Sequence, residues 1–263
     1  LVNINLENVE RIEDGAFYTC TKLKNVNLSN LLYVGEDAFA GCTSITSLDM
    51  PRVKEIADYA FLSASGVSTI NMPVVEKIGI QALSLLNVGS IVLPNTIKEI
   101  SMSAFYNNIK QSSFLYDDNG NIVDTYNIND YCLISNGVLY VRNANGLLEM
   151  SSYPTGKIEQ SYTVLDNTYR IEMYAAAANP YLSSVILPDT LESIGNMAFY
   201  DCSKLNSVEF RSLVAPTLEG SLAGSSTDYS YTEDSEIYKL MNKFFVFNGY
   251  YPYYYGQFKG MVG

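Results

Sequence analysis

VGEDAFAGCTSITSLDMP, residues Val34 to Pro51, carries no catalytic signature, yet the chain repeats it almost as a phrase. IEDGAFYTCTKLKNVNLS, Ile12 to Ser29, stands before it, and IGNMAFYDCSKLNSVEFR, Ile194 to Arg211, returns far downstream. Aligned on the residue that opens the phrase, Ile12, Val34, Ile56, Ile78 and Ile100 follow at steps of 22. Ala16, Ala38, Ala60, Ala82 and Ala104 come four places on, each followed by Phe17, Phe39, Phe61, Leu83 or Phe105. The register resumes with Ile171 and Ala175, then with Ile194, Ala198 and Phe199 at a step of 23. A fixed period of this length means one structural unit stacked on itself, each copy burying its apolar side against the next.

Side-chain order assigns the parts of one unit. Leu23, Val26 and Leu28 end in a period-two alternation, the mark of a short strand with one buried face. Pro51, Pro73, Pro94 and Pro188 follow the last apolar residue, where a missing N–H ends a ladder at little cost. A second extended piece comes next, Val53 to Ile56 and Val75 to Ile78. The Ala-Phe-x-x-Cys segment then reads as a helical or 3₁₀ turn, with Ala packed close and Phe filling the coil. A strand plus a turn in 22 residues has the length of a leucine-rich repeat. The expected fold is a leucine-rich-repeat solenoid, α/β in class, with a β-hairpin insertion. Leu1, Ile4 and Leu6 match Leu23, Val26 and Leu28, so the chain opens in mid-repeat and a preceding coil or cap is expected.

Charges on the second extended piece follow the same stack. Lys54, Glu76 and Lys98 fall in one column and Glu55, Lys77 and Glu99 in the next, with sign alternating along both. A merely hydrophilic surface has no reason to alternate in phase, whereas neighbouring strands gain from opposite charges side by side. The fourth unit departs from the pattern. Leu83 replaces Phe, Leu86 replaces Cys, and one residue is lost before Pro94, so a local irregularity is expected there.

The phrase I-G-x-x-A-F-x-x-C-x-x-L-x-x-V-x-L-P resembles the BspA-like leucine-rich repeat family over residues 1–215. The stretch NGVLYVRNANGLLEMSSYPTGK, Asn136 to Lys157, is similar to the hairpin insert of that family. The resemblance implies a bacterial protein of the cell surface or extracellular space that takes part in adhesion. It brings no ligand motif with it.

Residues 1–110 and 164–215 carry the beat and form an N-terminal and a C-terminal block of repeats. Between them, residues 111–163 hold Asn119-Gly120, Asn136-Gly137 and Asn145-Gly146 amid strand formers such as CLI, VLYV and LLEM. Asn-Gly supplies the positive φ of tight hairpin turns, so hairpins that continue or widen the sheet are expected. Residues 216–263 leave the beat. There a Gly/Ser-rich, acidic linker precedes the aromatic stretch from Phe244 to Gly260.

Composition excludes several classes. The chain of 263 residues is 48% apolar and carries a net charge of −12. Without a basic face to displace counterions, nucleic acid is not an expected partner, and an anionic membrane surface is disfavoured. No apolar run is long enough to span a bilayer, so no membrane insertion is expected of this segment. His is absent, which removes the commonest acid–base catalyst and metal ligand together. The opening LVNINLENVERI has no secretory leader pattern.

Four Cys do not make a disulfide framework. Cys20, Cys42 and Cys202 share one position, eight after the opening residue, which suits small buried hydrophobes. A Cys20–Cys42 disulfide stays open, since stacked strands lie about 4.8 Å apart, although parallel side chains seldom meet its geometry. Zinc lacks its ligands. DDNGN, Asp117 to Asn121, has neither the Gly nor the distal Glu of a calcium loop and reads as a hairpin turn. No carboxylate stands where its surroundings set up glycoside hydrolysis. No catalytic, metal or cofactor site is therefore expected.

Two candidate surfaces remain. Residues flanking the inward apolar positions of the first strand point to its opposite side: Asn25, Asn27, Ser47, Asp49, Thr69, Asn71, Ser184, Ser207 and Glu209. They form two columns on what is expected to be the concave sheet, either a binding platform or a plain solvated face. Tyr250, Tyr251, Tyr253, Tyr254 and Tyr255 form either a C-terminal cap over the stack or an aromatic recognition patch. The expected function is a non-catalytic cell-surface binding or adhesion module, part of a larger polypeptide, whose partner is a host or matrix protein or a glycan. The alternatives are a structural spacer of a surface protein and a carbohydrate-active enzyme built on a solenoid.

Overall fold

The computed structural model describes residues 1–115, 125–212 and 216–219, and no helix occurs among them. In chain order the first block contributes β1 (Asn3–Ile4), β2 (Arg11–Ile12), β3 (Asn25–Val26), β4 (Tyr33–Val34), β5 (Ser47–Asp49) and β6 (Glu55–Ile56). It continues with β7 (Thr69–Asn71), β8 (Lys77–Ile78), β9 (Ser90–Val92), β10 (Glu99–Ile100) and β11 (Ser113–Leu115). Next come β12 (Thr125–Asn127), β13 (Cys132–Ser135), β14 (Val138–Arg142) and β15 (Leu148–Ser152). The last are β16 (Ser161–Thr163), β17 (Thr168–Ile171), β18 (Ser184–Leu187), β19 (Ser193–Ile194), β20 (Ser207–Phe210) and β21 (Thr217–Leu218).

The V-x-x-I pieces pair in parallel, one coil on the next, into a five-stranded sheet ordered β2-β4-β6-β8-β10. Its register runs through Ile12, Val34, Ile56, Ile78 and Ile100, the residues that open each phrase. The L-x-x-V-x-L pieces form a second ladder, in the pairs β1-β3, β5-β7 and β9-β11 and later the triple β16-β18-β20. The result is a β-solenoid of about nine turns.

The expected helical or 3₁₀ turn does not form. Along the Ala-Phe segment, successive amides bond in two different directions. Ala16, Tyr18 and Cys20 donate to carbonyls three residues back, those of Glu13, Gly15 and Phe17, at 3.0–3.3 Å. Gly15, Phe17 and Thr19 donate to Glu36, Ala38 and Ala40 of the next coil at 2.7–2.8 Å. A helix keeps every amide for its own axis; here every second one leaves for the neighbour. The backbone turns this way by taking positive φ at two residues per coil: Gly15 and Thr19, Asp37 and Gly41, Tyr59 and Ser63, and onward to Met197 and Asp201. A left-handed non-glycine residue costs about 1–2 kcal/mol. Each inter-coil bond offsets this by about 0.5–1.5 kcal/mol net and gives a turn amide an acceptor inside the stack. Tyr59, Leu85 and Tyr174 hold φ of 58°, 60° and 58° without being glycine, so no turn signal announces these corners.

Inside the coils, Phe17, Phe39 and Phe61 stack ring on ring, with centroids 5.1 and 5.3 Å apart and planes within 17° and 1° of parallel. The irregularity of the fourth unit falls in this column: Leu83 ends the stack, and Phe105 lies edge-on to Phe114 instead. β8 nevertheless stays in register in the five-stranded sheet. Cys42 is fully buried and its thiol donates to the Phe17 carbonyl at 3.1 Å. Burial pushes that thiol up to about 11, and burial pushes Cys132 up to about 12. All four cysteines are free, which rules out the Cys20–Cys42 disulfide. Cys20 is only half-buried.

The stretch between the blocks belongs to a seven-stranded sheet, β12-β13-β14-β15-β17-β19-β21. β12 to β15 pair antiparallel, and β15 then joins β17 in parallel. Asn136 and Gly137 turn β13 into β14 with φ of 48° and 73°. Gly137 has a second reason to be glycine, since a Cβ there would lie 3.0 Å from that of Ser113.

β13 and β14 run through the interior and act as a partition wall. Cys132, Ile134, Leu139 and Val141 pack into the core of the first block, whereas Leu133, Val138 and Tyr140 pack into that of the second. Because strand side chains alternate, one hairpin can serve two cores, and both of its faces must be apolar. Asn129 and Tyr131 close the open edge of β10 with side chains. Asn129 Nδ2 donates to the Asn95 and Ile97 carbonyls at 3.0 and 2.7 Å, and the Tyr131 hydroxyl accepts from Ile100 N at 2.9 Å. In the coils on either side, Asn108 and Asn179 stand where other coils carry Cys, and both are fully buried. Asn179 Nδ2 donates to the Pro154, Thr155 and Lys157 carbonyls, and its Oδ1 accepts from the Tyr181 and Leu182 amides.

Truncating Phe39 to Ala is expected to cost about 3–5 kcal/mol in a denaturant titration, because it breaks the ring stack at its centre. An unchanged unfolding midpoint would refute the register. In native-state thiol labelling, Cys20 is expected to react first and Cys42, Cys132 and Cys202 only on unfolding. Four thiols must then appear without reductant, and a count of two would contradict the free-cysteine structure.

Candidate functional site

β3, β5 and β7 present the first group of candidate residues. Asn25, Asn27, Ser47, Asp49, Thr69 and Asn71 are all exposed, on the side opposite the buried leucines. The register sets Ser47 beside Thr69 and Asp49 beside Asn71, and places Asn3 beside Asn25 as a further member of the column. Ser184, Ser207 and Glu209 lie apart from these, in β18 and β20, where Ser184 pairs with Ser207 and Ile186 with Glu209. Both serines there are half-buried and Glu209 is exposed; Ser161 of β16 continues their column. β11 separates the two groups. Its Ser113 and Leu115 are buried, and Phe114 N donates to the carbonyl of Gly137 at 3.0 Å, where the hairpin turn covers the strand. The nine residues thus make two patches with the hairpin between them.

Many of these side chains already bond to each other. Asn25 Nδ2 donates to Asn3 Oδ1 at 3.1 Å, and Asn71 Nδ2 donates to Asp49 Oδ1 at 2.7 Å. Asn27 Oδ1 accepts from the amide and hydroxyl of Ser29 at 3.1 and 2.7 Å. Short side chains tied in this way lose little rotamer entropy on contact with a partner, but they also have fewer free hydrogen-bonding groups to offer.

The outer face of the five-stranded sheet is built from ion pairs. Lys54 and Lys77 reach Glu76 and Glu99 at 3.3 and 3.4 Å, and Lys98 also pairs with Glu76, so the Lys54–Glu76–Lys98 column and the Lys77–Glu99 step of the next are real contacts. Hydrogen bonds from Lys98 and then Lys54 hold the Glu76 carboxyl below its ordinary value. The Arg11 guanidinium lies 3.6 Å above the centre of the Tyr33 ring. A half-open groove of about 260 Å³ runs along this side, with Asp14, Glu36, Asp58, Lys77 and Glu99 in its lining. Two of its acids serve the backbone: Asp14 Oδ1 accepts from Glu36 N at 2.8 Å and Asp58 Oδ1 from Ile80 N at 2.7 Å. Gly35 and Gly79 leave room for them, as a Cβ would come within 2.6 and 2.4 Å of those oxygens. Among the described residues, no three acids or cysteines gather in a way that could hold a metal.

Tyr250, Tyr251, Tyr253, Tyr254 and Tyr255 lie outside the described residues, as does the DDNGN stretch. Among the described tyrosines, Tyr106, Tyr174 and Tyr200 lie on the turn side of the later coils. Tyr106 and Tyr174 stand 5.0 Å apart across the junction of the blocks, Tyr174 donates to Met197 Sδ at 3.1 Å, and Tyr200 is exposed. Part of the signal was in the repeat alignment: Asp14, Glu36 and Asp58 give way at the same position to Met102 and Met173, and Tyr174 stands where the second coil has Asp37.

A parallel β-solenoid with apolar residues inside and ladders of polar side chains outside has the architecture of the leucine-rich-repeat class. The model of the BspA type leucine rich repeat region matches residues 1–112 and 158–248 in six copies, and the chain belongs to this family. Among solved structures it is similar to a leucine rich cell surface protein of Faecalibacterium prausnitzii, at 25% identity and a TM-score of 0.63 over 79% of this chain and 60% of that one. The pneumococcal vaccine antigen PcpA matches in fold at 21% identity and a TM-score of 0.66, over 79% of this chain and 49% of that one. A leucine-rich repeat protein of Eubacterium ventriosum matches in fold at 19% identity and a TM-score of 0.63, over 82% and 62% of the two chains. The chain thus spans less than two thirds of the length of each of these structures. Among proteins of curated function, none matches it in sequence.

Replacing Glu76 by Gln removes the centre of the Lys54–Glu76–Lys98 column. A slightly lower melting temperature at low ionic strength, converging on the wild type in molar salt, is the expected result. A large loss that persists in molar salt would assign the column a packing role instead.

Proposed function

We propose that the chain is the repeat region of a bacterial surface protein and works as a non-catalytic binding module for a host protein, a matrix protein or a glycan. The observation behind this reading is the exposed ladder formed by Asn25, Ser47, Thr69 and their neighbours, held in register by the pairing of β5 with β7. It offers short donors and acceptors at a strand spacing of about 4.8 Å, close to the backbone and stiffened from coil to coil. Membership of the BspA type family and the cell-surface description of the Faecalibacterium structure support an extracellular setting.

Each hydrogen bond to such a face nets only about 0.5–1.5 kcal/mol. A single copy therefore binds weakly, and useful strength comes from many copies on one cell. A panel of matrix proteins and glycans arrayed against the protein identifies the ligand. Changing Asn25, Asn27, Asp49 and Asn71 together to Lys is expected to abolish that binding while leaving the melting curve in place. Normal binding by a folded quadruple variant would move the site off this face.

A second reading has an observation of its own. Asn25, Asn27, Asp49 and Asn71 already bond within the protein, which suits a spacer that displays another part of the polypeptide. On that reading the array stays blank at every ligand while the protein remains monomeric and folded.

A further inference from the structure

Arg170 of β17 stands among three carboxylates at the seam between the hairpin wall and the C-terminal ladder. It pairs with Glu149 of β15, and its Nε and Nη2 donate to Glu219, just after β21, at 2.9 and 2.7 Å. Glu172 follows two residues later, is 8% exposed, and accepts from Ser151 Oγ at 3.3 Å. Its carboxyl also meets that of Glu149. The Tyr169 hydroxyl donates to Glu149 Oε2 at 3.5 Å, and Ser193 of β19 bonds Glu219. From the stretch between the blocks, the Tyr131 phenol, which accepts from Ile100 N at the edge of the first block, feels the charges of both Glu172 and Glu99. The next residue is part of the seam as well, since Ser103 Oγ donates to the Met173 carbonyl at 3.2 Å.

Three carboxyls around one guanidinium leave charge uncompensated if all are ionised. Glu149 and Glu219 touch Arg170 directly, so Glu172 is the carboxyl that keeps a proton, which it donates in its hydrogen bond to Glu149. We propose that this cluster is a proton-operated clasp, in which protonated Glu172 joins the hairpin wall, the C-terminal ladder and the edge of the first block, and the ionised form loosens that seam. Because the two polar patches lie on opposite sides of the hairpin, the clasp decides whether they are held as one rigid face.

Burial first, and then the Glu149 charge, pushes the Glu172 carboxyl up to about 8. An exposed Glu titrates near about 4.3. Between these values the closed state binds a proton that the open state has lost, so closure weakens as pH rises. The weakening is at most about tenfold per pH unit, and it stops above about pH 8, where both states are ionised.

Amide hydrogen exchange on the whole chain between pH 5 and 9.5, corrected for intrinsic rates, tests the clasp. Protection at Ser101 and Glu172, whose amides bond Ile78 and Met150, is expected to fall by up to about tenfold per pH unit and to level above about pH 8. β4 and β6 are expected not to follow. Glu172→Gln keeps the partner for Ser151 and is expected to flatten the seam profile. Identical profiles in the variant and the wild type, or a slope in β4 and β6 equal to that at the seam, would overturn the proposal. Should the variant fail to fold, glutamate carboxyl carbons labelled in the wild type decide the matter by NMR. One carboxyl titrating above pH 7 sustains the clasp, and titration of every glutamate below pH 6 sinks it.

Discussion

The bond from a turn amide of one coil to a carbonyl of the next governs the whole molecule. Gly15, Phe17 and Thr19 find acceptors only in the coil that carries Glu36, Ala38 and Ala40, and the same relation repeats along the stack. Coils that must meet in this way must have the same length, so equivalent residues superpose. Phe17 then lies over Phe39 and Phe39 over Phe61, and Lys54 lies beside Glu76 and Glu76 beside Lys98. The left-handed corners are the local cost of this arrangement, and in each of the first three coils three such bonds stand against two corners.

A stack of this kind has difficulty with any segment of different length, and the hairpin shows how the difficulty is met. A surface loop would have left the coils on either side with open cores. β13 and β14 pass between those cores and give alternate side chains to each. The backbone groups that lose their regular partners are taken up by specific polar side chains: Asn129 and Tyr131 at β10, Asn179 at the Pro154–Lys157 segment. Asn does here what Cys cannot, because it donates and accepts through two separate atoms.

The period, the strands, the charge columns and the small polar columns were all legible in the sequence, because each rests on residues that recur at one spacing. The corners were not. Their left-handed residues are Tyr59, Leu85 and Tyr174 as readily as glycine, and Ala-Phe followed by Cys has good helical residues whose amides are drawn away by the neighbouring coil. A long-range bond overrode a local preference. The wall was hidden for a similar reason: CLI and VLYV announce strands apolar on both faces, but no single sequence says that the two faces belong to different cores. The split of the polar face follows from the wall and was hidden with it. Glu172 stood in the repeat as an ordinary residue after Ile171, and only the pairing of β15 with β17 brings Glu149 and Arg170 to it.

The hairpin wall also bears on how such a chain can change its number of coils. The buried core of the first block ends at one face of β13 and β14, and that of the second block begins at the other. A coil duplicated or deleted within the regular run from Ile12 to Ile78 would leave the contacts of Leu133, Val138 and Tyr140 as they are. Tandem repeats in a gene gain and lose copies readily, and most protein cores do not survive such slippage. This architecture confines the change to one compartment, so the reach of the N-terminal stack can vary between lineages while the far compartment is inherited intact.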